Sequence, residues 1–205
     1  MADPITMNKL KGLAKERGVS LATVVREALE DKANEYLPKP LSLGMFDSGL
    51  PGIADTLATE RVPVEDREVL VLDTGVILAS LDRREPTHAA CRSLIESSPE
   101  TLGIPAPTLC ELDQLLHGRL GPRAMPALLR DAERGAYAIV EPLADDLART
   151  IEVMERYADL DVVYVDAAIL AIVERLGELK LATLDRKHFG AMRPRHADAL
   201  ELLPA

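Results

Sequence analysis

Hydrophobic residues along this 205-residue chain follow two rhythms. In residues 1–36 they recur every three or four positions. Leu10, Leu13 and Ala14 share one helical face. Leu21, Val24, Val25, Ala28 and Leu29 fall at i, i+3, i+4, i+7 and i+8, a second amphipathic stripe. Gly18 suits the left-handed end of the first helix, and Ser20 the N-cap of the second. Two short helices cannot bury such a stripe by themselves, so a partner surface is implied. From residue 68 the rhythm changes. Val69-Leu70-Val71-Leu72 reads as a strand buried on both faces. The spacing predicts helices over about 74–81, 87–97, 108–117, 122–134, 143–157 and 163–176, with strands at 101–105, 137–140, 180–184 and an edge strand at 199–203. Strands alternating with helices imply an α/β fold, a mostly parallel sheet covered on both faces.

Residues 37–67 fit neither rhythm. Pro38, Pro40, Pro51 and Pro63, with Gly44, Gly49 and Gly52, prevent long regular structure. Yet Leu41, Leu43, Met45, Phe46, Leu50, Ile53 and Leu57 are too apolar for a solvated linker. The segment reads as an arm laid on another surface; the alternative is an ordered loop of the main domain. The expected organisation is therefore a helical segment at 1–36, an extended arm and linker at 37–67, and an α/β domain at 68–205.

Composition adjusts this picture in three ways. Hydrophobic residues make up 47% of the chain, enough for a core, but aromatics only 3%, so aliphatic packing must dominate. The net charge of −10 disfavours a protein held to nucleic acid by a broad basic surface. It leaves room for an enzyme that meets a phosphodiester through metal cations. Residues 1–66 carry 8 basic and 11 acidic side chains and the remainder 16 and 23, so neither part is a basic module. Cys91 and Cys110 lack metal-type spacing and read as reduced core thiols. No secretory signal and no apolar run near 18 residues is present, so a cytoplasmic location without a membrane anchor is expected.

Candidate chemistry resides in carboxylates. Asp73 follows the first buried strand, and ligands of open parallel sheets bind outside the carboxyl ends of strands. Taken alone, Asp73 reads equally well as the cap of the next helix. Asp185 repeats the pattern after Lys180–Leu184, with Thr183 two residues before it. If the two strands are parallel neighbours, both acids project from one edge of the sheet. Glu111 stands just inside the helix that follows the second strand; Asp113, two positions on, points to another side. Asp166 lies among Val162, Val163, Ile169, Leu170 and Val173, within the apolar stripe of its helix. Charged side chains are seldom buried unless paired or bound to metal. Arg175 and Lys180, the basic residues nearby, are better placed for solvent.

Four such acids at one edge repel, by roughly 3 kcal/mol per pair at ~5 Å and an effective dielectric near 20. The cluster requires protons or divalent cations, and oxygen-only ligands suit Mg²⁺ or Mn²⁺. His88, His117, His188 and His196 are scattered among polar neighbours and read as surface residues. No serine or cysteine has a base at recognisable spacing, and no glycine-rich phosphate loop is present.

Residues 68–205 resemble the PIN-domain ribonucleases, and within them the VapC toxins of bacterial toxin–antitoxin pairs. The resemblance is carried by Val71-Leu72-Asp73-Thr74-Gly75-Val76, Pro107-Thr108-Leu109-Cys110-Glu111-Leu112-Asp113, Asp166-Ala167-Ala168-Ile169 and Ala182-Thr183-Leu184-Asp185-Arg186-Lys187-His188-Phe189, in that order. It implies an α/β/α sandwich whose acidic pocket holds Mg²⁺ or Mn²⁺ and hydrolyses RNA. Asp73, Glu111, Asp166 and Asp185 match the family's acidic positions, and Thr74 and Thr183 its supporting hydroxyls. Ala168 departs from the pattern, since many relatives have a hydroxyl there, and Gly75 stands where serine is common.

Residues 1–66 resemble the cognate VapB antitoxins. The helices up to Tyr36 are similar to those of a ribbon-helix-helix module. Pro40-Leu41-Ser42-Leu43-Gly44 and Ser48-Gly49 look like the arm that wraps a toxin. Only Ile5-Thr6-Met7 remains where a DNA-reading strand should be, which puts operator binding in doubt. The resemblance implies an inhibitory arm with Leu41, Leu43, Met45, Phe46, Ile53 and Leu57 as anchors. Such antitoxins often place an arginine in the toxin's acidic pocket, and Arg61 is the only arginine between Leu37 and Glu65. The arm could dock in cis or on a neighbouring chain, and a symmetric dimer is the expected assembly. Two rival functions remain. One is a catalytically silent complex that regulates through DNA. The other is a phosphatase of the haloacid dehalogenase type, which needs a second aspartate where Gly75 stands.

Overall fold

The computed structural model describes residues 4–35, 39–43 and 68–205, in two compact units divided after Leu37. Met45, Phe46, Ile53, Leu57 and Arg61 lie outside the described residues. The first unit contains α1 (Pro4–Arg17) and α2 (Leu21–Glu35). Gly18 takes φ +67°, and the Val19 N–H returns to the Ala14 carbonyl at 3.1 Å, the left-handed ending expected of that glycine. The Ser20 hydroxyl accepts the Thr23 N–H at 3.0 Å and caps α2. Ile5, Thr6 and Met7 belong to α1 rather than to a strand. A register of helical hydrogen bonds claims the residues that a DNA-reading strand would use.

The second unit begins at Pro38 and holds the sheet. Its strands are β1 (Val69–Leu72), β2 (Thr101–Pro105), β3 (Ala138–Val140), β4 (Lys180–Ala182) and β5 (Glu201–Leu203). They lie in the order β3-β2-β1-β4-β5, every pairing parallel. The helices are α3 (Thr74–Leu81), α4 (His88–Ser97), α5 (Thr108–Leu120), α6 (Ala124–Glu133), α7 (Ala144–Arg156), α8 (Tyr164–Leu176) and α9 (Arg186–Ala191). Period-two alternation in β1 divides them into two layers. Leu70 and Leu72 pack with Val76, Ile77, Cys91, Ile95, Leu112, Leu116 and Leu128 of α3 to α6. Val69 and Val71 pack with Val153, Ile169, Leu170, Val173 and Phe189 of α7 to α9. The result is the expected α/β/α sandwich, with β1 at its centre.

Differences from the expected elements are local. β4 ends at Ala182, two residues early, because the chain turns into α9, whose six residues are too few to show a helical period. Cys91 is buried as expected, but Cys110 is exposed on α5. The described part of the arm, residues 39–43, belongs to this unit. Pro40, Ser42 and Leu43 are buried, and Leu43 joins the layer of α3 to α6. Leu41 stays 61% exposed. Among the described residues no helix is long and apolar enough to cross a membrane.

Candidate active site

Parallel pairing of β1 with β4 sets Leu72 beside Ala182, and the Asp73 N–H extends the ladder to the Ala182 carbonyl at 2.9 Å. Asp73 and Asp185 therefore leave neighbouring strands at the same edge. Each also caps a helix. Asp73 accepts the Thr74 N–H at 2.7 Å at the head of α3, and Asp185 accepts the His188 N–H at 2.9 Å at the head of α9. Glu111 stands in the first turn of α5 and Asp166 in the first turn of α8. All four acids thus sit at helix N-termini, whose partial positive charge offsets part of their repulsion.

Two threonines tie the acids together. The Thr74 hydroxyl donates to Glu111 Oε2 at 2.7 Å. The Thr183 hydroxyl donates to Asp73 Oδ2 at 2.7 Å and accepts the Asp185 N–H at 2.9 Å. Thr74 and Thr183 are themselves buried, so these bonds fix the carboxylate orientations from below. Capping does not occupy the whole carboxylate of Asp73: one oxygen caps α3 and the other meets Thr183.

Asp166 sits differently from the expectation. α8 begins at Tyr164 and leaves Val163 57% exposed, so the acid lies at the open end of the stripe and not within it. Arg175 bonds Asp146 and Lys180 bonds Glu100, so neither basic residue neutralises Asp166 in these contacts. Asp113 is exposed on α5.

His188 is the residue that sequence reasoning missed. It is not a free surface histidine: Nδ1 lies 2.6 Å from Asp185 Oδ2 and 3.7 Å from Asp166 Oδ2. A carboxylate oxygen accepts, so Nδ1 carries the proton. Nε2 is buried without a hydrogen-bond partner among the described residues. Ligation of a metal through Nδ1 would move the proton to Nε2, where nothing described accepts it. The imidazole therefore suits an orienting role on Asp185 better than direct ligation. The spacing of three residues from Asp185, within one helical turn, was the available signal.

Electrostatics record the crowding. Burial, above all, pushes the Asp73 carboxyl up to about 6; the Thr183 and Thr74 bonds oppose it, and the charges of Asp166 and Glu111 add to it. Asp166 is also raised, first by burial; His188 lowers it, and Asp185 and Glu111 raise it. One ligand atom each from Asp166, Asp185 and His188 lies within 4.8 Å of the others. Among the described residues Asp73 and Glu111 are not members of that close group and are joined to it through the threonine bonds; carboxylate oxygens are donors of the kind a hard divalent cation takes.

Residues 70–193 match the PIN domain family model. The chain belongs to the PIN-domain family. This PIN chain is 32% identical over 135 residues to Ribonuclease VapC26 of Mycobacterium tuberculosis, a match spanning 66% of this chain and all of that protein. It also resembles the crystal structure of VapC20 from the same organism, described as a toxin that cleaves the sarcin–ricin loop. The TM-score is 0.56 at 21% identity, over 63% of this chain and 98% of that one. At that identity the likeness speaks for the PIN fold alone.

The raised Asp73 carboxyl has a consequence for the metal-free protein. Its folded pKa lies above the ordinary 3.8, so between about pH 4 and 6 the folded state holds more protons than the unfolded one. Stability then falls as pH rises through that window, by about 3 kcal/mol from this group. Thermal melts in chelator at pH 4 to 6.5 should show the decline. Asp73→Asn should flatten it, and parallel curves for the two proteins would contradict the assignment.

Proposed function

We propose that this PIN protein is a metal-dependent endoribonuclease of the toxin–antitoxin type, held in check by its own antitoxin-like residues 1–67. The observation that carries the catalytic part is the continuous string Glu111–Thr74–Asp73–Thr183–Asp185–His188, with Asp166 facing its end. Asp73, Glu111, Asp166 and Asp185 would hold Mg²⁺ or Mn²⁺. When bound, such an ion supplies Lewis acidity at a scissile phosphate and makes a water acidic enough to attack near neutral pH. The protein's own part is positional. Thr74 and Thr183 lock carboxylate rotamers, His188 turns Asp185, and the four helix ends offset part of the carboxylates' mutual repulsion.

The restraint is supported by the tether and by the arm's composition. Apolar anchors from Leu43 to Leu57 would cover toxin surface, and covalent attachment gives them a high effective concentration. RNA is the proposed substrate, the antitoxin-like segment the proposed partner in cis or from a neighbouring copy, and a homodimer the proposed assembly. Operator DNA is left out of the proposed partners, because α1 takes up Ile5, Thr6 and Met7.

Metal binding is directly testable. Mn²⁺ or Mg²⁺ should raise the melting temperature by mass action. Asp166→Asn should weaken the ion's affinity by more than about tenfold, since losing even a group that only supports a ligand typically costs that much. Titration calorimetry that detects no divalent ion on either the intact chain or residues 68–205 would remove the basis for the metal site.

A further inference from the structure

Asp131, near the end of α6, is fully buried and makes none of the bonds of the acidic site. Main-chain donors of the arm occupy both of its oxygens. The Leu41 N–H reaches Oδ1 at 3.0 Å, and the Ser42 N–H reaches Oδ2 at 2.6 Å. Arg134, one turn further along, pairs with the same carboxylate. A buried carboxylate needs such partners, and two neighbouring backbone amides give it a bidentate grip. Around the grip, the Lys39 ammonium donates to the Ser98 carbonyl at 2.9 Å, Pro40 and Ser42 are buried, and Leu43 enters the core. Leu41 points its side chain to solvent.

We propose that Asp131, supported by Arg134, is the anchor of a peptide-recognition site on the PIN domain that reads the backbone of an extended segment. Its occupant is residues 39–43 of this chain. The side chains set a pattern. The first buried place suits proline, which brings no N–H to leave unpaired. The second tolerates any residue that has an N–H. The third must be small, as Ser42 is almost wholly enclosed. The fourth must fill the apolar place of Leu43. From Leu43 to Val69 there are 26 residue steps, a reach of up to ~90 Å if extended. The grip therefore fixes one end of the arm and leaves the course of the rest to other contacts. This inference deepens the inhibitory reading, but its test reads docking and not RNA cleavage, so the two can fail separately.

Amide hydrogen exchange on the intact chain, resolved by residue, tests it. The Ser42 amide should be protected, as a buried bonded N–H is. Asp131→Asn should lower that protection by about tenfold or more. Leu41→Pro, which deletes one donor outside the α/β core, should do the same, whereas Leu41→Ala should change nothing. The Val71 and Leu72 amides of β1 report whether the domain is still folded; if Asp131→Asn unfolds it, Leu41→Pro decides. Exchange of Ser42 at the rate of an unstructured peptide in the parent chain overturns the proposal. So does protection that survives Leu41→Pro, or a Leu41→Ala effect equal to that of Leu41→Pro.

Discussion

Residues 68–205, freed of everything before them, should cleave RNA with Mg²⁺ or Mn²⁺, while the intact chain should be nearly inert. The expected difference is at least about a hundredfold, equivalent to about 3 kcal/mol of arm docking. The magnitude follows from burial. Each of the anchors Leu43, Met45, Phe46, Ile53 and Leu57 could contribute about 1.5–3 kcal/mol before ordering costs. A tethered segment needs only a small surplus to stay bound. From Arg61 to Asp73 the chain has 12 steps, at most ~40 Å, so an arginine from the arm can reach the acids of its own domain. A neighbouring copy could supply the arm instead, and mixing experiments between wild-type and Asp73→Asn chains would separate the two. Phe46→Asp should release part of the activity by setting a charge in an apolar contact. Because Leu43 belongs to the core layer of α3 to α6, the truncated domain must first be checked for folding and metal binding. Equal cleavage by the intact and truncated proteins would rule out inhibition. A folded, metal-binding truncation that leaves RNA intact would count heavily against the nuclease itself.

The sheet and most of the acidic site were legible in the sequence for a common reason. Buried parallel strands are short and continuously apolar, so the polar residue that ends each one stands out. Asp73 and Asp185 announced themselves in this way, and their meeting required only that β1 and β4 be neighbours. Asp166 was found by its apolar company, although its place proved to be the open first turn of α8. His188 was hidden because its spacing of three from Asp185 has meaning only on a helix, and the six residues of α9 are too few to show a helical period. Asp131 was hidden more deeply. Between Arg130 and Glu133 it looks like one more solvated helix charge. Its burial depends on backbone donors 89 and 90 positions earlier in the chain, a distance no local pattern spans.

Asp73→Asn should lower metal-dependent RNA cleavage by the released domain by about a thousandfold or more, about 4 kcal/mol of transition-state stabilisation. The substitution keeps the shape of the side chain and removes its charge. One of its atoms can still accept the Thr74 N–H. The other becomes an NH₂ that meets the Thr183 hydroxyl, which already receives the Asp185 N–H and then has no carboxylate to donate to. The orientation of Asp185 is disturbed along with the loss of a ligand. Stability should move the opposite way. Burial holds the Asp73 carboxyl up at about 6, so at pH 7 the metal-free fold carries a charge it disfavours, and a neutral amide removes that penalty. In chelator at pH 7 the variant should therefore melt higher than the parent, and added Mn²⁺ should stabilise it less. A residue that served only the fold would lose stability and activity together. Cleavage within about tenfold of the parent, in a variant shown to be folded, would take Asp73 out of the catalytic assignment.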